Sequence, residues 1–199
     1  MFKALAADIA GTSDNCSFVA KSHFGDPTHV DSLSFVRHTE TVRVFLKSKI
    51  YEFIFTDKGL IRIERDNAAG VKRFITRQDW QIASIDLASI KFTTPGAGMT
   101  DYACEIDFNL GNMRIHIEVV KAEIEKAKML FLFLVELASE QQRNAACLSE
   151  ARLNKSQIIL SPGAGDTASL VSFQSALARD LLNQFAPISY ASVFEKFDF

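Results

Sequence analysis

Cysteine is scarce in this chain of 199 residues: Cys16, Cys104 and Cys147 are all it has. They are odd in number and far apart, with no CxxC pair, which excludes a disulfide framework and a cysteine-built metal site and makes a reducing, cytoplasmic compartment the expectation. Long apolar runs are missing too. The longest, Met129 to Val135, is far short of the roughly 18 to 20 residues that cross a bilayer. Near the start, Asp8 interrupts a short apolar stretch, so a retained rather than secretory N-terminus is expected. Neither sign of charge is in surplus. With 22 Lys and Arg against 24 Asp and Glu, the formal net charge is -2, and no global field draws the protein to nucleic acid or an anionic membrane.

Catalytic signatures are absent as well. There is no nucleophile elbow, HExxH or dinucleotide fingerprint, and no phosphate loop with its lysine. Pro-Gly-Ala-Gly occurs twice, at Pro95 to Gly98 and Pro162 to Gly165, the second before a helix. With Asp166 where an anion would sit, turn and cap chemistry is the better reading. His23, Asp26, His29 and Asp31 carry ligand chemistry in no ligand spacing and read as a polar arm. Cys104 and His116 could meet in space. Cys104, however, falls on the apolar face of its strand and reads as a buried thiol, and His116 falls on the polar face. No catalytic residue, cofactor or metal ligand is assigned, and an enzyme is the weakest of the function classes.

What the chain has in abundance is phenylalanine, 17 of them, which favours a crowded core or a buried interface. Phe2, Leu5, Ala6 and Ile9 fall on one face of a short N-terminal helix that Gly11 stops. Thr12 to Glu40 is polar and irregular, an arm with one short extended piece at most. From Thr41 to Val120 apolar residues alternate: Val42, Val44 and Leu46, then Tyr51, Phe53 and Phe55, then Ile61 and Ile63. Lys47-Ser48-Lys49 and Thr56 to Gly59 are the turns between these strands. A fourth strand is expected over Lys72 to Arg77, one bent strand or two over Ile82 to Thr93, and a hairpin of Tyr102 to Phe108 and Met113 to Val119 around Gly111-Asn112. This makes about seven strands.

Lys121 to Arg143 follows as a helix with a broad apolar face: Ile124, Ala127, Leu130, Phe131, Leu134, Val135 and Ala138. Met129, Leu132 and Phe133 widen that face beyond what capping one sheet needs, so a second partner is implied, either the C-terminal extension or another subunit. Asn144 to Ser156 is ambiguous, and Ile158 to Leu160 fits a short strand. A further helix over 167–186 carries the stripe Leu170, Phe173, Leu177, Leu181 and Phe185 before Pro187 ends it. The tail with Tyr190, Phe194, Phe197 and Phe199 is aromatic enough to dock.

Periodicity alone gives an antiparallel barrel or sandwich plus a helix. The stretch Val42 to Ile63 adds more: its hairpin Phe55-Thr56-Asp57-Lys58-Gly59-Leu60-Ile61 resembles the aromatic strand, lysine turn and aliphatic strand of the bacterial pleckstrin-homology family. The resemblance covers roughly Glu40 to Arg143. It implies an α+β, mainly β fold, a PH-like antiparallel barrel capped by a C-terminal helix, and a noncatalytic binding module that is often oligomeric. The expected organisation is an N-terminal helix and arm over 1–40, the barrel with its helix over 41–143, and a C-terminal extension over 144–199.

Two surfaces are candidates for function. The first, a self-assembly surface on the helices, would use Met129, Leu132, Phe133, Phe173, Leu177 and Leu181 to make a homo-oligomer, the leading reading, with a further protein partner left unidentified. The second is a basic edge of Lys47, Lys49, Arg62, Arg65, Lys72, Arg73 and Arg77, interspersed with Asp57, Glu64 and Asp66. It would suit a peripheral lipid or a small anion, against the plainer reading of a solvated strand face.

Overall fold

The computed structural model describes residues 15–65, 73–94, 103–159 and 167–199, and for 152–159, 167–174 and Asn183 it describes the backbone alone. The expected N-terminal helix, Lys72, Tyr102 and both Pro-Gly-Ala-Gly segments lie outside the described residues.

Among the described residues eight strands form two sheets. The first holds β1 (Ser17–Phe18), β2 (Val42–Lys47), β3 (Tyr51–Thr56), β4 (Gly59–Arg65) and β5 (Arg73–Asp79), in chain order and antiparallel throughout. The second holds β6 (Lys91–Thr93), β7 (Ala103–Leu110) and β8 (Met113–Val120). Alternation is strict in β7 and β8, where every second residue points into the core, as period two requires. Gly111 makes their turn at a φ of 57°, a conformation that glycine adopts without strain.

The recognised hairpin has a physical basis. Thr56 Oγ1 accepts from Lys58 N (3.2 Å) and Gly59 N (2.9 Å) and donates to the Gly59 carbonyl (3.1 Å). The indole of Trp80 donates to the Thr56 carbonyl (2.9 Å). Gly59 lies so close to β5 that a Cβ there would sit 2.5 Å from the Gln78 carbonyl oxygen. Turn, strand neighbour and core tryptophan are thus fixed together.

On β2 the register slips between Val42 and Val44. Val42 and Phe45 pack on the outer cluster of the sheet and Val44 and Leu46 on the main core, so Arg43 is the extra residue of a bulge. The outer cluster (Phe45, Ile54, Ile61, Ile63) is covered by Phe24, Leu33 and Val36, from the segment that holds a 3-10 turn at Lys21–His23 and α1 (Pro27–Leu33). The stretch read as an irregular arm therefore carries a strand and a helix. Its apolar residues are too widely spaced to show a period, yet they seal one face of the sheet.

Residues 16–18 also stitch one seam between the sheets. Ser17 and Phe18 pair with β2, while Cys16 N donates to Glu118 O (2.6 Å) and Cys16 O accepts from Val120 N (3.1 Å). The expected antiparallel barrel of about seven strands is present as two sheets, which stay open on the other side, where β5 and β6 do not pair. The intervening chain explains this. Ile82 is 85% exposed, and of the one bent strand or two expected over Ile82 to Thr93 only β6 forms, after a turn and a 3-10 segment (Leu87–Ser89) capped by Asp86.

A 3-10 turn at Lys121–Glu123 leads into α2 (Ile124–Ile159). With no Gly or Pro inside it, the helix does not stop at Arg143. It runs for 36 residues, about 54 Å at its standard rise, and takes up the expected strand at Ile158 and Ile159. Ala127, Leu130, Phe133, Leu134, Leu137, Ala138 and Gln141 are its buried face, and from Gln142 to Ala151 no residue is buried. The second half therefore stands clear of the core. α3 (Thr167–Phe185) packs against α2, so the C-terminal helix folds back in cis. After Pro187, the tail with α4 (Ala191–Phe194) returns to the core.

Candidate functional site

The basic edge is best described one cation at a time. Arg77 grips Glu40 with both terminal nitrogens (3.1 and 2.5 Å) and Asp79 with Nε (2.7 Å). Arg73 pairs with Asp31. Arg65 and Lys47 (3.7 Å) share the fully buried Glu52, and Arg62 pairs with Glu64 (2.9 Å) over the Tyr51 ring. Lys49 is exposed and has no ion pair among the described residues.

These partners have a pattern. Asp31 and Glu40 belong to the segment that crosses the outer sheet face, and Lys47 reaches the same segment through the Thr28 carbonyl (2.5 Å) and His29 (3.2 Å). Arg37 of that segment reaches back to Asp79 (3.2 Å). Lys47, Arg73 and Arg77 thus pin the N-terminal segment down. The cost of separating a buried carboxylate such as Glu40 from its guanidinium is about 3 kcal/mol or more. For Arg77, burial opposes the charge, but its hydrogen bonds to Glu40 and Asp79 outweigh that and raise its pKa further.

The helical candidates separate. Phe133, expected on an oligomer surface, is fully buried inside its own chain: its ring stacks on Phe194 (4.0 Å between centroids) and meets Phe55, Phe197 and Phe199 edge-on. The partner that its extra hydrophobicity called for is the aromatic tail. Leu132 is 53% exposed, and Met129, Leu177 and Leu181 are half-buried. The side chain of Phe173 lies outside the described residues. Leu182, which the stripe did not include, is 46% exposed on the outer side of α3.

Between the Ser84 to Ala88 loop and α2 runs a groove of about 550 Å³, lined by Ile85, Asp86, Leu87, Ala138 and Gln141. Gln141 is buried and both ends of its amide are engaged: Oε1 accepts from Ile85 N (2.9 Å), and Nε2 donates to the Trp80 (3.0 Å) and Ala83 (3.3 Å) carbonyls. It ties α2 to the loop, with both of its N–H donors spent on that contact. Such a long-range amide clasp leaves no mark on apolar periodicity, and sequence reasoning missed it.

Cys104 points into the core, and burial pushes its thiol up. His116 lies across the pleat on the other face, bonded to Asp107 (3.1 Å) and Glu118 (3.2 Å), so the sheet keeps the two apart. His29 lies edge-on to Phe45 and Asp31 is taken by Arg73. Among the described residues no three His, Cys, Asp or Glu gather in a metal-holding group, and no helix is long and apolar enough to cross a membrane.

Residues 17–138 match the family described as Bacterial PH domain. Over 162 residues, 80% of its length and 77% of the other's, the chain is 30% identical to the uncharacterized protein YvbH of Bacillus subtilis (strain 168). In fold it is similar to a PH domain containing bacterial protein from Exiguobacterium sibiricum 255-15, with a TM-score of 0.78 and 22% identity, covering 92% of this chain and 99% of that one.

Proposed function

The chain belongs to the bacterial PH domain family, and on that premise we propose that it is a noncatalytic interaction module that assembles with copies of itself through its helical hairpin. The observation that carries this reading is the state of α3. Its chief packing partner is α2, Leu177 and Leu181 are only half-buried, and Leu182 is exposed. A layer of two helices buries one stripe of each and is marginal by itself. A second copy of the same hairpin supplies the missing layer with matching chemistry, and two-fold pairing of like surfaces is the commonest way soluble chains associate. Leu132, exposed on the barrel half of α2, extends the surface.

The test is subunit counting on the full chain and on variants with a charge at Leu132 or Leu182.

A further inference from the structure

We propose that β5 is a docking edge for a second copy of this chain, the two β5 strands pairing antiparallel about a two-fold axis at Thr76. β5 is the last strand of its sheet, and nothing among the described residues pairs with its outer edge. Its backbone phase follows from the bond between Trp80 N and Lys58 O (2.9 Å) and from the unbroken register that runs from Asp79 opposite Gly59 to Arg73 opposite Arg65. Bonded and non-bonded positions alternate in an antiparallel pair, so Phe74, Thr76 and Gln78 turn their backbone groups to β4. Arg73, Ile75 and Arg77 turn theirs outward.

Proteins ordinarily blunt such an edge with proline, lysine, a bulge or a covering element. β5 has no Pro or Lys between Arg73 and Asp79 and no bulge, and its two arginines are held by Asp31, Glu40 and Asp79 of their own chain. Arg73 to Thr76 are all exposed, Phe74 at 59% and Ile75 at 41%. An apolar edge left open in this way is a template for another strand.

The order of residues along β5 selects its own copy as that strand. Among the central registers in which the outward groups can bond, an axis at Ile75 sets Arg73 against the second copy's Arg77, and an axis at Arg77 sets that residue against itself. Both oppose like charges. With the axis at Thr76 all seven residues pair: Arg73 opposite Asp79, Phe74 opposite Gln78, Ile75 opposite Arg77, and Thr76 opposite Thr76. Each end then joins opposite charges and the centre joins two threonines, both favourable cross-strand neighbours. Ile75 and Arg77 exchange their backbone bonds, and the two five-stranded sheets become one. A single strand pair is small beside the roughly 1,000 Å² of a stable interface, so this is a weak contact, separate from the helical hairpin.

The experiment is disulfide trapping on the full chain at high concentration. Cys16 and Cys104 are buried, and the exposed Cys147 is removed by Cys147→Ser. At a non-bonded pair the Cα atoms lie about 4.5 Å apart, within disulfide reach, so Thr76→Cys should give a linked dimer. Phe74→Cys should not, because its two copies would lie about 13 Å apart along the strands. Both are made with and without Leu182→Glu, which separates this contact from hairpin pairing, and the Thr76→Cys dimer is expected in each. Amide exchange at Ile75 and Arg77 should slow as concentration rises, and Thr76→Lys, which sets two cations at the axis, should abolish the slowing. No linked dimer, equal yields from Phe74→Cys and Thr76→Cys, or a dimer that requires Leu182 would each overturn the proposal. So would protection of Ile75 and Arg77 that ignores concentration or survives Thr76→Lys, which would mean that a different strand occupies the edge.

Discussion

Asp57 Oδ2 accepts a 2.8 Å hydrogen bond from the hydroxyl of Ser189, 132 positions further along the chain. Its other oxygen accepts from Thr41 N (2.7 Å) and its carbonyl from Tyr190 N (2.7 Å). The β3–β4 turn is therefore the point where the start of β2 and the returning tail are tied together, and the tail in turn covers Phe133.

Asp57→Ala removes the acceptor for a backbone donor and a hydroxyl at once, and should cost about 2–4 kcal/mol. Chemical denaturation measures this, and Trp80, bonded to the same turn, is the natural fluorescence reporter. A loss below about 1 kcal/mol would show that the turn does not hold the tail.

Gly59→Ala places a methyl 2.5 Å from the Gln78 carbonyl oxygen. The nearest atoms it would meet include the backbone of Gln78 and of Asp79, which cannot swing aside, so β4 and β5 must separate, at a cost of about 1–3 kcal/mol. Amide exchange should speed up along β5 first. Unchanged exchange would mean that the strands relax freely there.

Phe133→Ala should cost about 3–5 kcal/mol, because the ring contacts Phe55 on one side and three tail phenylalanines on the other. Proteolysis after Lys196 should accelerate in parallel, since the tail loses its anchor. Stability equal to the parent would contradict the cis packing of the tail.

Two histidines should titrate in opposite directions. Burial alone would lower His116, but its hydrogen bonds to Glu118 and Asp107 outweigh that and raise it above the ordinary value. Burial, then the neighbouring Lys47 charge, lower His29. The stability that His116 contributes is thus full below the ordinary pKa of about 6.5 and is lost as pH rises through its raised folded value. That of His29 is present above about 6.5 and is lost as pH falls through its depressed value. Denaturation midpoints of His116→Gln should approach the parent's toward alkaline pH, and those of His29→Gln should gain on the parent toward acid. NMR titration with both rings at the ordinary value would refute this.

The strands were legible where the residues that face the main core repeat with period two, as Phe53 and Phe55, or Cys104, Ile106 and Phe108, do. The hairpin at Thr56 to Gly59 was legible because its turn chemistry is local. Three features were not. The covering segment around Phe24, Leu33 and Val36 has no period, the length of α2 depends on the absence of breakers rather than on any signal at Arg143, and Phe133 looked surplus because its partners lie 61 to 66 positions away. The candidate surfaces were harder still. A row of basic residues shows its charge in sequence but not its partners, and Asp31 and Glu40 reach Arg73 and Arg77 only through the fold. Arg43 looked like an ordinary strand residue because a bulge becomes visible only against the neighbouring strand.

The central claim is self-assembly through the helical hairpin, and native mass spectrometry of the full chain beside Leu182→Glu and Leu132→Glu tests it most directly. The account predicts one defined oligomer for the parent and its dissociation to monomer in Leu182→Glu, with the fold intact by circular dichroism. A parent that stays monomeric at high concentration, or an oligomer that both substitutions leave unchanged, would contradict it.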